Sequence, residues 1–457
     1  MRRKKEAVLP FEWNNDDLPK IVRQCREKYK QIGRILDENP EILDLVHEDL
    51  KQLSEGDDEN KQGRKGDFTS ETILRALVVH AMGGDSLRET VIRIADSEFL
   101  QDFLRTRKKA VMDFSFLDKC FNVIRPETWK QINEVLVGQA VANEEVDPSI
   151  IRTDTTAVET NIHWPTDSSL LWDTYRVAAR LMRAGREICP ASCPHRFHED
   201  KIKKLHLWIT RYSNSKDKKR LRKVKKAHQT LIERVGQIVE TARTFREFAQ
   251  EEGGIELLAV SLELADFLPS MTTVVEQARR ARLDGEKVPA SERVFSIFES
   301  HTELIMRGRR GKPIEFGHMV LLCQSPEKII TDYDVMKEKI ADCHLTETVI
   351  DRHEKLFGEA PQVLAGDKGF CPKADKYAEL EERVGTLAIP KRMRDMADAV
   401  MKGWQAFRAG IEGTISGLKR AFRLARCYYC GFESFEASVG LGVFTHNLVV
   451  LAKMGGT

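Results

Sequence analysis

The stretch PSIIRTDTTAV, residues 148–158, decides the fold that this sequence predicts. β-Branched residues dominate it and the helix signals of the preceding segment disappear, which favours a β-strand. An aspartate in the middle of a strand is disfavoured, because its side chain competes with the backbone for hydrogen bonds. Asp154 nevertheless stands among these strand formers, so it is a candidate functional residue.

Further strand-like segments predict a mixed α/β (α+β) fold with one sheet. They are residues 314–322, 329–333, 362–365 and 385–389. Residues 340–358 have a helical pattern, and Trp404–Ala425 does too despite Gly410, Gly413 and Gly417. Each glycine weakens a helix by about 1 kcal/mol relative to alanine. Their presence suggests close packing of this helix against a sheet or against DNA.

The pattern along the chain predicts four regions. Residues 1–60 form a helical arm and a linker, broken at Gly56–Asn60. Residues 61–145 form a compact helical N-terminal domain of helix-turn-helix type, although their spacing suits an ordinary helical bundle equally well. Residues 146–165 and 291–457 form the sheet domain, and the charged helical residues 166–290 form an insertion after the first strand.

The overall composition describes a globular protein with almost balanced charge. The 457 residues include 73 Lys and Arg against 71 Asp and Glu, so local patches must supply any attraction to a polyanion. Nine cysteines, an odd and scattered set, predict buried thiols and no disulfides in a reducing compartment. The apolar run Leu441–Ala452 is interrupted and too short to span a bilayer, and no export signal is seen. We therefore expect a cytoplasmic protein without a membrane partner.

One segment of the insertion is strongly basic. Residues 201–226 carry twelve basic side chains against one acid, Asp217. A charge run is usually a solvated surface. The alternative is an arm that follows a nucleic-acid backbone. Its candidate DNA-binding residues are Lys218, Lys219, Arg222 and Lys223.

Two further carboxylates accompany Asp154. Asp367 ends the predicted strand at Val363–Gly366, where an aspartate often only caps a helix. On the predicted helix Trp404–Ala425, Glu412 lies in a row of polar and basic side chains on one face. The row consists of Arg408, Glu412, Ser416 and Lys419, extended by Arg423 and Arg426. A helix ion pair explains Arg408 and Glu412, but it does not require the further cations.

These segments resemble the DDE transposases of bacterial insertion sequences. The matching motifs are Asp154-Thr155-Thr156, Ala365-Gly366-Asp367-Lys368-Gly369-Phe370, and Arg408-Ala409-Gly410-Ile411-Glu412 with Lys419. The stretch Arg307–His318, the closing His446-Asn447-Leu448 and the helical residues 64–124 are similar to that family as well. Three ordered motifs on suitable elements are far more specific than any one motif.

The resemblance implies an RNase H-like catalytic domain, with one Asp on the first strand, the second after the fourth, and the Glu on a later helix. It implies that Asp154, Asp367 and Glu412 hold two Mg²⁺ or Mn²⁺ ions, with Asp154 bridging them. It further implies contacts of Lys368, Arg408 and Lys419 with the DNA backbone. The reaction would be cleavage at the terminal inverted repeats and joining to target DNA, by a homodimer or higher multimer at the nucleoid.

The sequence departs from the family pattern in two ways. Gln405 stands where the helix motif often has a tyrosine, which leaves a DNA contact in doubt. The insertion follows the first strand, whereas better-known members carry theirs just before the final Glu.

Other functions stay open at this point. An RNase H-like nuclease would share the carboxylates and metals but lack strand transfer, and a domesticated transposase would bind DNA without catalysis. The crowded cluster Cys189, Cys193, His195 and His198 is a weak candidate zinc site. Cys427 and Cys430 form a lone CxxC pair that more simply packs in the core.

Overall fold

The computed structural model of the protein describes residues 2–8, 11, 13, 15–54, 68–106, 112–307, 313–391 and 398–455. The α-helices are α1 (Lys20–Glu38), α2 (Pro40–Lys51), α3 (Ser70–Gly83), α4 (Leu87–Asp96), α5 (Glu98–Phe103), α6 (Phe114–Val123), α7 (Pro126–Ala142), α8 (Asp167–Ile188), α9 (Glu199–Tyr212), α10 (Lys218–Glu252), α11 (Ile255–Arg279), α12 (Leu345–Phe357), α13 (Ala374–Arg383), α14 (Ala399–Ala421) and α15 (Phe432–Met454). The strands are β1 (Ile150–Thr160), β2 (Glu303–Met306), β3 (Ile314–Gln324), β4 (Ile330–Val335), β5 (Val363–Ala365), β6 (Thr386–Ala388) and β7 (Arg426–Cys427).

The strands form one mixed sheet in the order β2-β3-β1-β5-β6, with β4 paired to β3 and β7 paired to β1. β1 pairs parallel with β5, and β5 pairs parallel with β6, whereas β2 and β4 pair antiparallel with β3. The expected mixed α/β class is confirmed, and each of the five predicted strands is present. The short strands β2 and β7 were not predicted, because four and two residues are too few to show an alternating pattern.

The two faces of the sheet pack against different helices. Ile151 and Leu364 face a core with α12 and α13. Ile150 and Val363, the preceding residues on the same strands, face α14. Since successive side chains of a strand point to opposite faces, Arg152 and Asp154 lie on the α14 side of β1.

The chain divides into two compact units, Met1–Glu159 with His318–Thr457, and Thr160–Gly317. In the first unit, α1–α7 share one apolar core with the last helix, α15. Hence α1 and α2 pack with the helical domain and do not form a separate arm. The predicted linker Gly56–Asn60 lies outside the described residues, and so do residues 308–312 of the stretch Arg307–His318.

A buried amide network joins α15 to α7 and β4. The side chain of Asn447 donates to Asn133 Oδ1 at 2.8 Å and to the carbonyl of Ile330 at 2.8 Å. Its oxygen accepts from the backbone N–H of Ile330 at 2.9 Å. This arrangement satisfies backbone groups at the start of β4, which explains why an asparagine stands in an otherwise apolar helix.

The second unit is a helical bundle of α8, α9, α10 and α11 around its own apolar core. The buried carboxylate of Asp167, at the start of α8, is bound by Arg282 Nε at 2.5 Å and by an Arg293 Nη at 2.6 Å. These ion pairs fix the residues after α11 to the start of the bundle.

Two helices in the described part of the chain are long and apolar enough to cross a membrane by length and composition alone. One of them, α15, is mostly buried in the core of the first unit. The other, Ile255–Asp284, includes α11, which contributes one side to the bundle of the second unit.

A candidate active site at the ends of β1 and β5

The register of the parallel strands brings two aspartates to the same end of the sheet. Arg152 of β1 is paired with Ala365 of β5. Asp154 lies two residues beyond Arg152, and Asp367 lies two residues beyond Ala365. Both carboxylates therefore stand at the carboxyl end of β5, next to the middle of the longer strand β1.

Asp154 is a half-buried carboxylate with other charges nearby. Its side chain is 18% exposed. Burial raises the pKa of Asp154 to about 6, the negative charges of Asp367 and Glu412 raise it as well, and the Thr155 N–H and Arg408 oppose them. Asp154 is thus near enough to both of the other predicted carboxylates to be repelled by their charges.

Asp367 begins a single 3₁₀ turn, Lys368–Phe370, after β5. Its Oδ1 accepts from the backbone N–H of Gly369 at 2.7 Å, which is the capping role that the sequence left open. A Cβ at Gly369 would fall 2.9 Å from Asp367 Oδ1 and 3.4 Å from Asp342 Oδ2, so a side chain at this position would crowd both carboxylates. Capping uses one oxygen of Asp367 and leaves the other available to a ligand.

Helix α14 carries a cation between two of the carboxylates. Arg408 Nη1 lies 3.5 Å from Asp154 Oδ2 and 3.1 Å from Glu412 Oε1. Glu412 is 63% exposed, so it faces solvent from the edge of this group. The helix ion pair expected between Arg408 and Glu412 is present. The same guanidinium also lies close to Asp154, on the face of β1 that packs against α14.

Gln405, which replaces the tyrosine of the family pattern, has a defined structural role. Its amide donates to the backbone carbonyls of Gly366 at 3.1 Å and Ala388 at 3.3 Å. These bonds anchor α14 to the ends of β5 and β6, immediately before Asp367. Its side chain is therefore engaged with the sheet.

Two of the predicted DNA-binding arginines are not on the helix face. Helix α14 ends at Ala421, Arg423 has a φ of 64°, and the N–H of Leu424 bonds back to the carbonyl of Leu418 in a helix-ending motif. The prediction that Arg423 and Arg426 extend the row beyond Lys419 was therefore wrong. Arg423 donates to the carbonyl of Gly84 at 2.8 Å, and Arg426 pairs with Glu159 at 2.9 Å.

The remaining predicted cations are placed on surfaces. Lys368 is exposed beside Asp367, and Lys419 is half-buried on α14. In the second unit, Lys218, Lys219, Arg222 and Lys223 are all exposed in the first turns of α10. Asp217, the single acid of that segment, caps α10 by accepting from the N–H of Lys219 at 2.9 Å.

The donor set suits a hard divalent cation in chemistry and charge. Asp154, Asp367 and Glu412 offer only oxygen ligands, which Mg²⁺ prefers. Their mutual repulsion and the position of Arg408 between two of them show that this spot attracts positive charge. In the part of the chain that the structure describes, no three His, Cys, Asp or Glu side chains are close enough to form a ready metal site. Ligation would require the side chains to rotate toward a common point.

The predicted zinc cluster is not assembled. Cys193 is buried, with its thiol 4.0 Å from the sulfur of Met182, and the ring of His195 packs against Phe197 at 5.3 Å. In the described part of the chain, no three His, Cys, Asp or Glu side chains lie close enough together to hold a metal ion, and these four residues are no exception. Cys427 is buried beside Tyr429 and Cys430 is exposed, so the CxxC pair contains one packing residue.

Sequence reasoning missed two polar residues at this site. Asp342 accepts from Thr155 Oγ1 at 3.2 Å, and Arg152 crosses from β1 to α14. Asp342 lies at the start of the predicted helical segment 340–358, where an aspartate commonly caps the first turn, so it gives no distinct signal. The signal for Arg152 was available, since a cation two residues before Asp154 on a buried strand must face the same way.

Comparisons of this chain with family models, with curated proteins and with solved structures found no match.

Proposed function

We propose that this protein is a DNA transposase of the DDE type, which cleaves phosphodiester bonds at the ends of an insertion sequence and joins them to target DNA. One observation carries the proposal. Asp154 on β1 and Asp367, two residues after the adjacent parallel strand β5, stand at the same end of the sheet, and Arg408 of α14 lies between Asp154 and Glu412.

An RNase H-like arrangement of the catalytic domain belongs to the same proposal. Three features support it: Asp154 lies on the first strand of a mixed sheet, Asp367 follows β5, and Glu412 lies on α14, after the last parallel strand. The insertion Thr160–Gly317 interrupts the sheet domain after β1 and forms a unit with its own core.

Asp154, Asp367 and Glu412 would hold two divalent ions, Mg²⁺ or Mn²⁺. Two such ions supply an activated water or hydroxyl and stabilise the departing oxygen of an in-line displacement. Arg408 would partly offset the repulsion between Asp154 and Glu412 before the ions bind. Lys368, which directly follows Asp367, and Lys419, which follows Glu412 on α14, would contact the phosphates of the DNA strand.

DNA binding would rest on local positive patches, since the chain is nearly neutral. The exposed cations at the start of α10 form one such patch. The proposal includes assembly of a homodimer or higher multimer on the terminal repeats, because two element ends must be processed together. It also places the protein in the cytoplasm, at the nucleoid.

The test is a cleavage and strand-transfer assay with the DNA that flanks the coding sequence, in the presence of Mg²⁺. Asp154→Asn, Asp367→Asn and Glu412→Gln should each lower cleavage by about three orders of magnitude or more, because each removes a metal ligand, while DNA affinity stays within about twofold. Asp375→Asn, an exposed carboxylate at the start of α13, is the matched control and should cleave normally.

Each alternative predicts a different result in this assay. Cleavage without joining would identify an RNase H-like nuclease, and binding without cleavage would identify a non-catalytic DNA-binding protein. Near wild-type cleavage by any of the three carboxylate variants would refute the assignment of these residues.

A further inference from the structure

Arg152 is a buried cation whose hydrogen-bond partners are neutral. It is 4% exposed and lies on β1 two residues before Asp154, on the same face of the sheet. Its Nε donates to Gln324 Oε1 at 2.8 Å, and its Nη1 donates to the backbone carbonyl of Phe407 at 2.6 Å. A buried charge with neutral hydrogen-bond partners is costly; burial lowers the pKa of Arg152, and the negative charge of Glu327 offsets that effect only in part. Packing alone therefore does not explain an arginine at position 152.

The guanidinium of Arg152 touches α14 at two successive turns. Besides its bond to the Phe407 carbonyl, it lies over the Phe407 ring, 4.8 Å from the centroid. It also occupies the space beside Gly410, where a Cβ would clash with Nη1. A side chain at position 410 would therefore displace either the Arg152 guanidinium from its hydrogen bonds or the helix from β1.

Gln324 of β3 extends this contact along the same helix. Its amide nitrogen donates to Thr414 Oγ1 at 2.8 Å and to the carbonyl of Lys328 at 3.2 Å. The network thus holds α14 at Phe407, Gly410 and Thr414. Arg408 and Glu412 lie between these three positions, so the fixed segment of the helix is the one that carries the site.

We infer that Arg152 and Gln324 are positioning residues, which set the distance between α14 and β1 and so hold Arg408 and Glu412 against Asp154. The inference rests on the proposed function for its catalytic consequence. Positioning matters because a displacement of about 1 Å can lower a rate about 100-fold. Gly410 is the matching residue on α14, because its lack of a side chain leaves room for the Arg152 guanidinium.

The experiment compares Gly410→Ala with Gly403→Ala. Gly403 lies two turns earlier on α14, and no described atom lies within 4 Å of a Cβ built there. Gly410→Ala should lower the cleavage rate at saturating DNA and metal by about 10- to 100-fold, while the Kd for DNA changes less than about twofold. Gly403→Ala should cleave like the wild type.

Two substitutions at Arg152 separate positioning from general stability. The side chain in Arg152→Gln is too short to reach Gly410 or the Phe407 carbonyl. Adding Gly410→Ala to Arg152→Gln should therefore cause little further loss, so the two effects do not multiply. Arg152→Lys keeps a donor for one of the two partners and should recover part of the rate.

Hydrogen exchange of the α14 amides gives a readout that does not depend on cleavage. Residues 407–414 should exchange faster in Gly410→Ala and in Arg152→Gln, and the double variant should match Arg152→Gln alone. Normal protection in Gly410→Ala, wild-type cleavage by that variant, or losses that multiply in the double variant would overturn the inference. If the wild type itself does not cleave, the proposed function fails, and the exchange measurement still decides whether Arg152 holds the helix.

Discussion

At the scale of the residue, Asp154 has opposite effects on folding and on function. Burial raises its pKa to about 6, so its ionised form is less favourable in the folded protein than in the unfolded chain. Its contribution to stability is therefore complete at low pH, where it is protonated, and is lost as pH rises through about 6. Metal ligation needs the ionised form. The fold thus carries a cost at the position where the proposed chemistry requires a charge.

This conflict predicts that Asp154→Asn stabilises the protein while abolishing cleavage. A shift of about two units corresponds to about 3 kcal/mol at most, and about 1–3 kcal/mol is expected at pH 8. The gain should vanish below about pH 4, where Asp154 is neutral in both states. Urea unfolding at the two pH values, without divalent ions, measures it.

Glu412→Gln is the control for this prediction. Because Glu412 is 63% exposed, its replacement should change the free energy of unfolding by less than about 0.5 kcal/mol. An Asp154→Asn protein that is no more stable than the wild type at pH 8 would contradict the burial argument.

The candidate residues illustrate what sequence pattern can and cannot supply. Asp154, Asp367 and Glu412 were identified as a set, from three ordered motifs that resemble a known family, because none of them is decisive alone. Their mutual approach depends on the β1–β5 register, which no local pattern contains. The contact of Arg152 with Gly410 joins residues that are far apart in sequence, so it became visible only in the fold.

At the scale of the element, periodicity located α14 but not its end. The row of basic residues continues past Ala421, whereas the backbone turns at Phe422 and Arg423 so that Leu424 is buried. Side-chain spacing does not reveal such a termination. The same limit applies to β7, whose two residues are defined by their pairing with β1.

The first turns of α10 carry the clearest prediction for DNA binding. Replacing Lys218, Lys219, Arg222 and Lys223 with Gln should weaken binding about equally for all DNA sequences, because phosphate contacts carry no sequence information. The slope of log affinity against log salt should flatten by about one unit for each lost phosphate contact. Affinity measured across a salt series provides both quantities.

Four other arginines of the same unit provide a charge-matched control. Arg180, Arg243, Arg279 and Arg280 each pair with a carboxylate. Their replacement with Gln removes the same charge from a different surface and should leave the salt slope nearly unchanged. An unchanged salt slope in the α10 variant would mean that these basic residues are solvated surface charges that do not contact DNA.

At the scale of the whole molecule, the two units contain different candidate metal ligands: carboxylates in the first, and cysteines and histidines in the second. The oxygen-only donors of the first unit predict that Mg²⁺ or Mn²⁺ supports cleavage. The unassembled Cys189–His198 segment of the second unit predicts that a zinc-selective chelator leaves cleavage intact. Activity after chelation, with and without added Mg²⁺, is the measurement. Loss of activity that only zinc restores would make that segment a functional site.

The general architecture could be predicted because strongly patterned segments dominate it. The mixed sheet and the helical character of the insertion follow from local periodicity. The shared core of the first helices with α15 does not, because it joins the two ends of the chain.

That shared core has a consequence for synthesis on the ribosome. The helices α1–α7 emerge first, yet Phe444 and Leu448 of α15 belong to the interior that they enclose. Until translation has passed α15, these helices expose the apolar surface that α15 later covers. A nascent or prematurely terminated chain is thus a substrate for chaperones and proteases. Without α15, these helices should therefore not form a stable, folded fragment.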